Sequence, residues 1–247
     1  MTKQGKKLLV IGWDAADWGI IDDLMAKGRM PHLQRLIEKG VRCNLKTLEP
    51  RLSPLLWSTI ATGKGADQHG ILNFVEPKPD GQGLRLVQST TRRTKALWNM
   101  FSQSELRTHV VGWYASHPAE PIQGVIVSNA LPEDSETDLD PDVIHPQDTP
   151  LDFKELVRSK PVLGSEQIST WLPRYREVAP QDDHFLKGLI QKMTHAHHIA
   201  QISEWLLTND PWDVSMVFFD TIDTMGHEFM AFRQPKLSYV SDKHFRL

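Results

Sequence analysis

Two hydrophobic periods alternate along the chain. Lys7-Leu-Leu-Val-Ile-Gly-Trp13, Thr108-His-Val-Val-Gly-Trp-Tyr114, Gly124-Val-Ile-Val-Ser-Asn129 and Trp212-Asp-Val-Ser-Met-Val-Phe-Phe219 are short, nearly continuous apolar runs. Strands of a parallel sheet covered on both faces read this way. Between them apolar residues recur at three- and four-residue spacing, the period of a helix buried on one side. Residues 15–27 put Ile20, Ile21, Leu24 and Met25 on one face. Met30-Pro31 opens a second helix with Leu33, Leu36 and Ile37 inward and Gly40 as its C-cap. Residues 53–62 and a stretch capped by Thr94 and running through Phe101 follow the same period, as do 153–159, 165–171 and 183–208. Residues 41–47 alternate as a strand does, and 84–88 read as an edge strand after a Pro/Gly-rich loop at 76–83. Residues 131–151 carry Asp, Glu and Pro with no period. The pattern predicts an α/β fold, a mostly parallel sheet sandwiched between helices. We expect a single domain over 1–247, with an insertion or cover segment around 131–185.

Composition narrows the function classes. With 28 basic and 31 acidic residues the net charge is −3, which gives no reason to expect nucleic acid or an anionic membrane as partner. Cys43 is the single cysteine, so there is no disulfide framework and no cysteine zinc site. Lys3, Lys6 and Lys7 precede an apolar run too short for a signal-peptide core. No run approaches membrane-spanning length. These features lead us to expect a soluble, cytoplasmic protein.

Candidate chemistry gathers at strand ends. Asp14 follows the first strand, and ligands of open α/β sheets bind outside the carboxyl ends of strands. It suits a metal, or else caps the next helix. Asp17 is predicted a turn further on, facing solvent. Ser53 stands before Pro54, as an N-cap stands before a proline at the first helical position. The N-terminus of a helix favours a phosphate. Asp223 and His227 form Asp-x-x-Gly-His, where Gly226 allows a bend that turns both side chains toward one ion. His195 and His198 share a helical face without a third ligand, so a solvated or partly buried face is expected. His69 is expected to tie down the Ser53 helix. His117 and Lys64 are either pocket or surface residues, and Trp13 and Trp57 are candidates for the border of a substrate pocket.

Taken together these stretches resemble the type I phosphodiesterase/nucleotide pyrophosphatase branch of the alkaline phosphatase superfamily. The resemblance rests on Leu9-Val-Ile-Gly-Trp-Asp14, on Met30-Pro-His-Leu-Gln-Arg-Leu-Ile-Glu-Lys-Gly40, on Ser53 through Thr62-Gly63 to His69-Gly-Ile71, and on Asp220 through Gly226-His227, in the family's order. It implies two divalent metal ions, for which zinc is the best match and manganese stays open. Asp14 and Ser53 would bind one ion, Asp223 and His227 the other. Ser53 would be the nucleophile, and a phosphoseryl enzyme would be hydrolysed by water. Asn73 lies one position away from where related enzymes place an amide on the phosphate oxygen. The partner implied is a small-molecule phosphate ester.

The resemblance also calls for ligands the chain does not supply: an Asp-His pair after a later strand, and a further histidine. Asp242 and His244 have the residue types, but 226–236 is short for the crossover a parallel strand requires. We therefore expect an N-terminal part of a longer enzyme, inactive or nearly so alone. The alternatives are a non-catalytic remnant or binding module of the same fold, or a phosphomutase or phosphonate hydrolase. A sulfatase would need Cys/Ser-x-Pro-x-Arg, which Ser53-Pro-Leu lacks.

Overall fold

A computed structural model describes residues 6–132, 139–159, 161–177, 184–232 and 238; Asp242 and His244 lie outside them. The elements are β1 (Leu8–Trp13), α1 (Trp18–Ala26), α2 (Pro31–Lys39), α3 (Ser53–Thr62), α4 (Ala66–His69), β2 (Val75–Pro77), β3 (Leu84–Leu86), α5 (Leu97–Gln103), β4 (Thr108–Val111), β5 (Gly124–Val127), β6 (Ile144–His145), α6 (Leu151–Arg158), α7 (Ser165–Trp171), α8 (His184–Asn209), β7 (Val214–Phe219) and α9 (Thr221–Phe229). Five strands form the main sheet in the order β1-β7-β4-β5-β6. Its pairs are parallel except β5–β6. β2 and β3 make a separate antiparallel hairpin.

The two-residue period of the strands sorts the core into two layers. Val111 pairs with Val127 and Val217, and all three face Phe153 and Val157 of α6 and Ile199, Ile202 and Leu206 of α8. One residue earlier, Val110 pairs with Ile126 and Met216, which face Ala61 of α3, Trp98 of α5 and Trp113. Helices thus cover both faces of β4, β5 and β7, as their unbroken apolar runs predict.

Several elements differ from expectation. β1 is an edge strand: Leu8, Leu9 and Ile11 are exposed, and among the described residues it pairs only with β7. α2 forms where Pro31 starts it, yet it buries no residue, and Leu36 is 68% exposed. Residues 41–47 are irregular, with Val41 and Leu45 exposed. The apolar face of α2 is only half covered, with Leu33 and Ile37 half-buried near α1, and residues 41–47 have no described strand to pair with, without which alternation does not make a strand. Asp17 sits before the first turn of α1, not within it, and its Oδ1 accepts from Gly19 N and Ile20 N. Thr94 caps nothing; α5 begins at Leu97, where Asn99 Oδ1 accepts from Ala96 N at 2.8 Å. The aperiodic stretch at 131–151 holds the short strand β6 and the start of α6.

At the amino end of the sheet a charge cluster around the buried His109 ties the end of α8 to the start of β4. Asp210, after α8, takes two hydrogen bonds of 2.8 Å from the Arg107 guanidinium and lies 2.8 Å from His109 Nε2. His109 has no exposed surface. Burial holds its imidazole below the ordinary histidine value, against the opposing pull of the Asp210 carboxylate. Burial would raise Asp210, but hydrogen bonds from Arg107 and His109 outweigh it and hold that carboxyl below its usual range. A histidine depressed on folding stabilises the fold above its unfolded value of about 6.5, and that contribution is lost as pH falls below it. Urea unfolding between pH 8 and pH 5 should therefore show stability falling on the acid side, and His109→Asn should flatten that limb.

Candidate active site

The carboxyl ends of β1 and β7 are joined in register. Trp13 is opposite Phe219, and Asp14 N donates to Phe219 O at 3.0 Å. Asp14 and Asp220 therefore leave neighbouring strands at the same level, about 5 Å apart in the sheet. α9 starts at once, which places Asp223 in its first turn and His227 one turn further on the same face. His227 Nε2 lies 3.5 Å from Asp223 Oδ1. The pair meets through helical spacing; Gly226 lies within α9 and makes no bend.

Electrostatics shows how close these groups are. The Asp223 carboxyl is pushed up by burial, then by the negative charge of Asp14, with Asp220 adding and His227 opposing. The Tyr114 phenol is pushed up to about 12 by burial and by Asp220, Asp14 and Asp223. Carboxylates crowded in this way are relieved by a cation. The donor chemistry of Asp14, Asp223 and His227 fits a divalent ion, although among the described residues no three acidic, histidine or cysteine side chains are grouped tightly enough to enclose one.

Ser53 is the first residue of α3, not its cap; Leu52 holds the cap position and Pro54 follows as the second residue. No side chain caps this first turn, which leaves that end of the helix to an anion. Packing decides where the helix lies. A Cβ on Gly12 would stand 2.6 Å from the Trp57 ring, so the helix rests directly on the β1 backbone. Trp57 also meets Phe218 and Trp113 edge-on at centroid distances of 4.6 and 5.5 Å, and Trp113 Nε1 donates to Trp57 O. Ser53 is one helical turn before Trp57, on the same side of α3. Asp14 is two residues after Gly12, on the same side of β1. One face-to-face contact thus carries both residues.

His69 anchors the far end of the helix. It is fully buried; its Nδ1 accepts from Ile71 N, and its Nε2 meets Thr59 Oγ1 at 3.1 Å, whose own proton goes to Leu55 O. Burial holds the ring below the ordinary histidine value, with Arg92 adding and Asp67 and the Leu55 carbonyl opposing. The network requires the neutral ring with its proton on Nε2.

The other candidates fall elsewhere. Asn73 is exposed, and its Oδ1 accepts from Phe74 N, shaping a turn. His198 is buried and bonds Leu156 O at 2.8 Å, a tie between α8 and α6. His195 is partly buried and keeps a buried Nδ1 without a partner among the described residues. His117 lies 3.2 Å from Ser128 Oγ. Trp13 lines an open apolar cleft of about 400 Å³ with Ile20, Leu24, Met30 and Ile222, and Asp223 and His227 stand at its side. Sequence reasoning missed Asp220 and Tyr114. Asp220 ends the β7 run as Asp14 ends the β1 run, so one rule, applied twice, would have found it. Ala15 and Ala115, each next to a rim residue, have φ of 57° and 52°. A left-handed alanine costs about 1–2 kcal/mol, strain of the sort concentrated where function constrains the backbone.

A mostly parallel sheet between helices, with acidic residues following two neighbouring strands at its carboxyl rim, is an alkaline phosphatase-like α/β fold. Within it, the chain belongs to the type I phosphodiesterase / nucleotide pyrophosphatase family, whose profile matches residues 8–241. The fold is similar to that of murine ectonucleotide pyrophosphatase / phosphodiesterase 5, at 15% identity and a TM-score of 0.51, over 90% of this chain and 45% of that one. It is also similar to phosphonoacetate hydrolase from Sinorhizobium meliloti 1021 in complex with phosphonoformate, at 15% identity and a TM-score of 0.52, over 86% of this chain and 46% of that one. The chain spans less than half the length of these solved relatives. No curated protein matches the sequence.

Because Trp57 leaves no room above Gly12, Gly12→Ala should displace α3. Overpacking of this kind costs about 1–3 kcal/mol. Thermal unfolding should show the loss, and Trp fluorescence should report the moved ring.

Proposed function

We propose that this chain supplies the nucleophile and part of the ion-binding rim of a metal-dependent phosphoric ester hydrolase of the phosphodiesterase/nucleotide pyrophosphatase type. The observation that supports the reading is the register of β1 with β7, which brings Asp14 level with Asp220, together with the mutual charge effect of Asp14 and Asp223. The substrate class is small-molecule phosphate esters, in keeping with the family.

Ser53 would attack phosphorus in line with the departing alkoxide or phosphate. The serine proton passes to solvent, the P–O bond to the departing group breaks as the phosphoserine forms, and water then cleaves the phosphoserine, releasing the phosphoryl group and regenerating the hydroxyl. The uncapped first turn of α3 would steady the equatorial phosphate oxygens. Asp14 would hold an ion next to Ser53, and Asp223 with His227 would hold a second. When bound, such ions lower the serine hydroxyl's pKa and offset charge on the attacking and leaving oxygens. Asp, His and Ser donors suit zinc best and admit manganese. The segment around 131–185 would border the site, since Leu131 lines a cavity together with Asp220. The single, exposed Cys43 supports our reading of a cytoplasmic protein.

An incomplete ligand set binds ions weakly, so the chain by itself should hydrolyse little. The test is zinc titration with calorimetry, together with turnover of bis(p-nitrophenyl) phosphate. We expect measurable zinc binding, weakened at least tenfold by Asp14→Asn or Asp223→Asn, with turnover near background. Turnover that is robust and indifferent to Ser53→Ala would overturn the role of Ser53. Absence of any zinc binding would favour the non-catalytic remnant.

A further inference from the structure

Among the described residues one edge of the main sheet has no neighbour: β1 pairs with β7 on one side only. That pairing fixes which backbone groups stay free. Leu8 N donates to Asp213 O at 2.9 Å, and Asp14 N to Phe219 O at 3.0 Å. The backbone groups of successive residues point to opposite sides of a strand. Residues 8, 10, 12 and 14 therefore turn their N–H and C=O toward β7. Leu9, Ile11 and Trp13 turn theirs outward.

The side chains beside these outward groups are apolar. Leu8, Leu9 and Ile11 are 50%, 43% and 53% exposed. Charge stands at both ends, with Lys6 and Lys7 before the strand and Asp14 after it. The pattern is cation, apolar run, anion. A sequence of that form complements itself when it is turned end for end.

The outward groups restrict the register of such a pairing. A second β1, lying antiparallel, must set its own outward residues against Leu9, Ile11 and Trp13. Placing Leu9 opposite Ile11 of the other copy, and Ile11 opposite its Leu9, lets each pair exchange two N–H···O bonds. Val10 then faces Val10 across the two-fold axis, Leu8 faces Gly12, Lys7 faces Trp13 and Lys6 faces Asp14. Apolar side chains meet on both faces of the sheet, and opposite charges meet at both ends. The neighbouring registers lose this match. Ile11 against Ile11 sets Leu8 opposite Asp14, and Leu9 against Leu9 sets Lys7 opposite Ile11. A two-fold pairing is also closed: it uses up the free edge of both copies and leaves none for a third.

We propose that two copies of this chain pair their β1 strands antiparallel about a two-fold axis at Val10, with Leu9 against Ile11 and Lys6 against Asp14. This surface lies beyond the hydrolase reading and does not rest on it.

The test uses the full chain. Sedimentation equilibrium over a wide concentration range should show monomer and dimer and nothing larger. Leu9→Pro removes an outward N–H and leaves the ladder to β7 intact, so it should give a monomer with an unchanged far-UV spectrum. Lys6→Glu should weaken the dimer roughly tenfold, with the loss shrinking at high salt. Cross-linking reads the register, in a Cys43→Ser background that removes the exposed native thiol. Val10 against Val10 is a non-hydrogen-bonded pair, with Cα atoms about 4.5 Å apart and within disulfide reach. Val10→Cys should therefore join two chains on mild oxidation. Leu9→Cys and Ile11→Cys should not, because each then lies two positions away from its own counterpart. A monomer at every concentration leaves the edge to some other polypeptide and overturns the proposal, as does a dimer that survives Leu9→Pro in a folded chain. Open-ended assembly overturns the two-fold, and faster cross-linking at 9 or 11 than at 10 overturns the register. The cross-links decide the matter even if Leu9→Pro fails to fold.

Discussion

The parallel ladder between the first and last strands governs this structure. Its register decides which residues stand side by side at the carboxyl rim, and a slip of one position would turn Asp14 to the opposite face. Two chain segments separated by some two hundred residues in sequence thereby bring their acids together. Each mutual hydrogen bond is modest, but the ladder is anchored beyond it: Val10, Met216 and Phe218 pack into the layer under α3, while Val217 packs into the layer under α8. The rim geometry is thus inherited from core packing on both faces.

The place of Ser53 depends on a different contact, a tryptophan ring laid on a bare stretch of backbone. Gly12 and Trp57 set the height of α3 over the sheet, and the His69–Thr59 bond with Gly63 behind it sets where that helix ends. Neither contact touches substrate. Both hold the helix on a rigid support, which is what a serine needs if it is to meet phosphorus in line. The cost is carried nearby, in the left-handed alanines that turn the chain sharply after Asp14 and Tyr114.

Much of this was legible in the sequence because it depended on short-range pattern. The runs at β4, β5 and β7 were plain, as were α7 and α8, because each element is covered by others in the described chain; β1 was as plain in the sequence although one side of it stays open. The family's Thr62-Gly63…His69-Gly70-Ile71 element led to the right fold. What failed needed partners that no local pattern reveals. The 41–47 stretch alternates like a strand and has no described strand to pair with; α2 is amphipathic and only half covered; Ser53 is the first helical residue, with Leu52 at the cap. Asp220 and Tyr114 were missed for another reason. Their importance comes from proximity to Asp14 and Asp223, and proximity across a sheet is visible only once strand order is known.

The outer side of β1 gives this polypeptide a particular character in solution. Leu8, Leu9 and Ile11 are apolar and open to water, beside a row of backbone amides that no described strand satisfies. Such a border is adhesive: an extended, hydrophobic segment of almost any sequence can zip onto it. How this molecule behaves at high concentration is therefore decided at the margin of its sheet, by whatever first seals that seam.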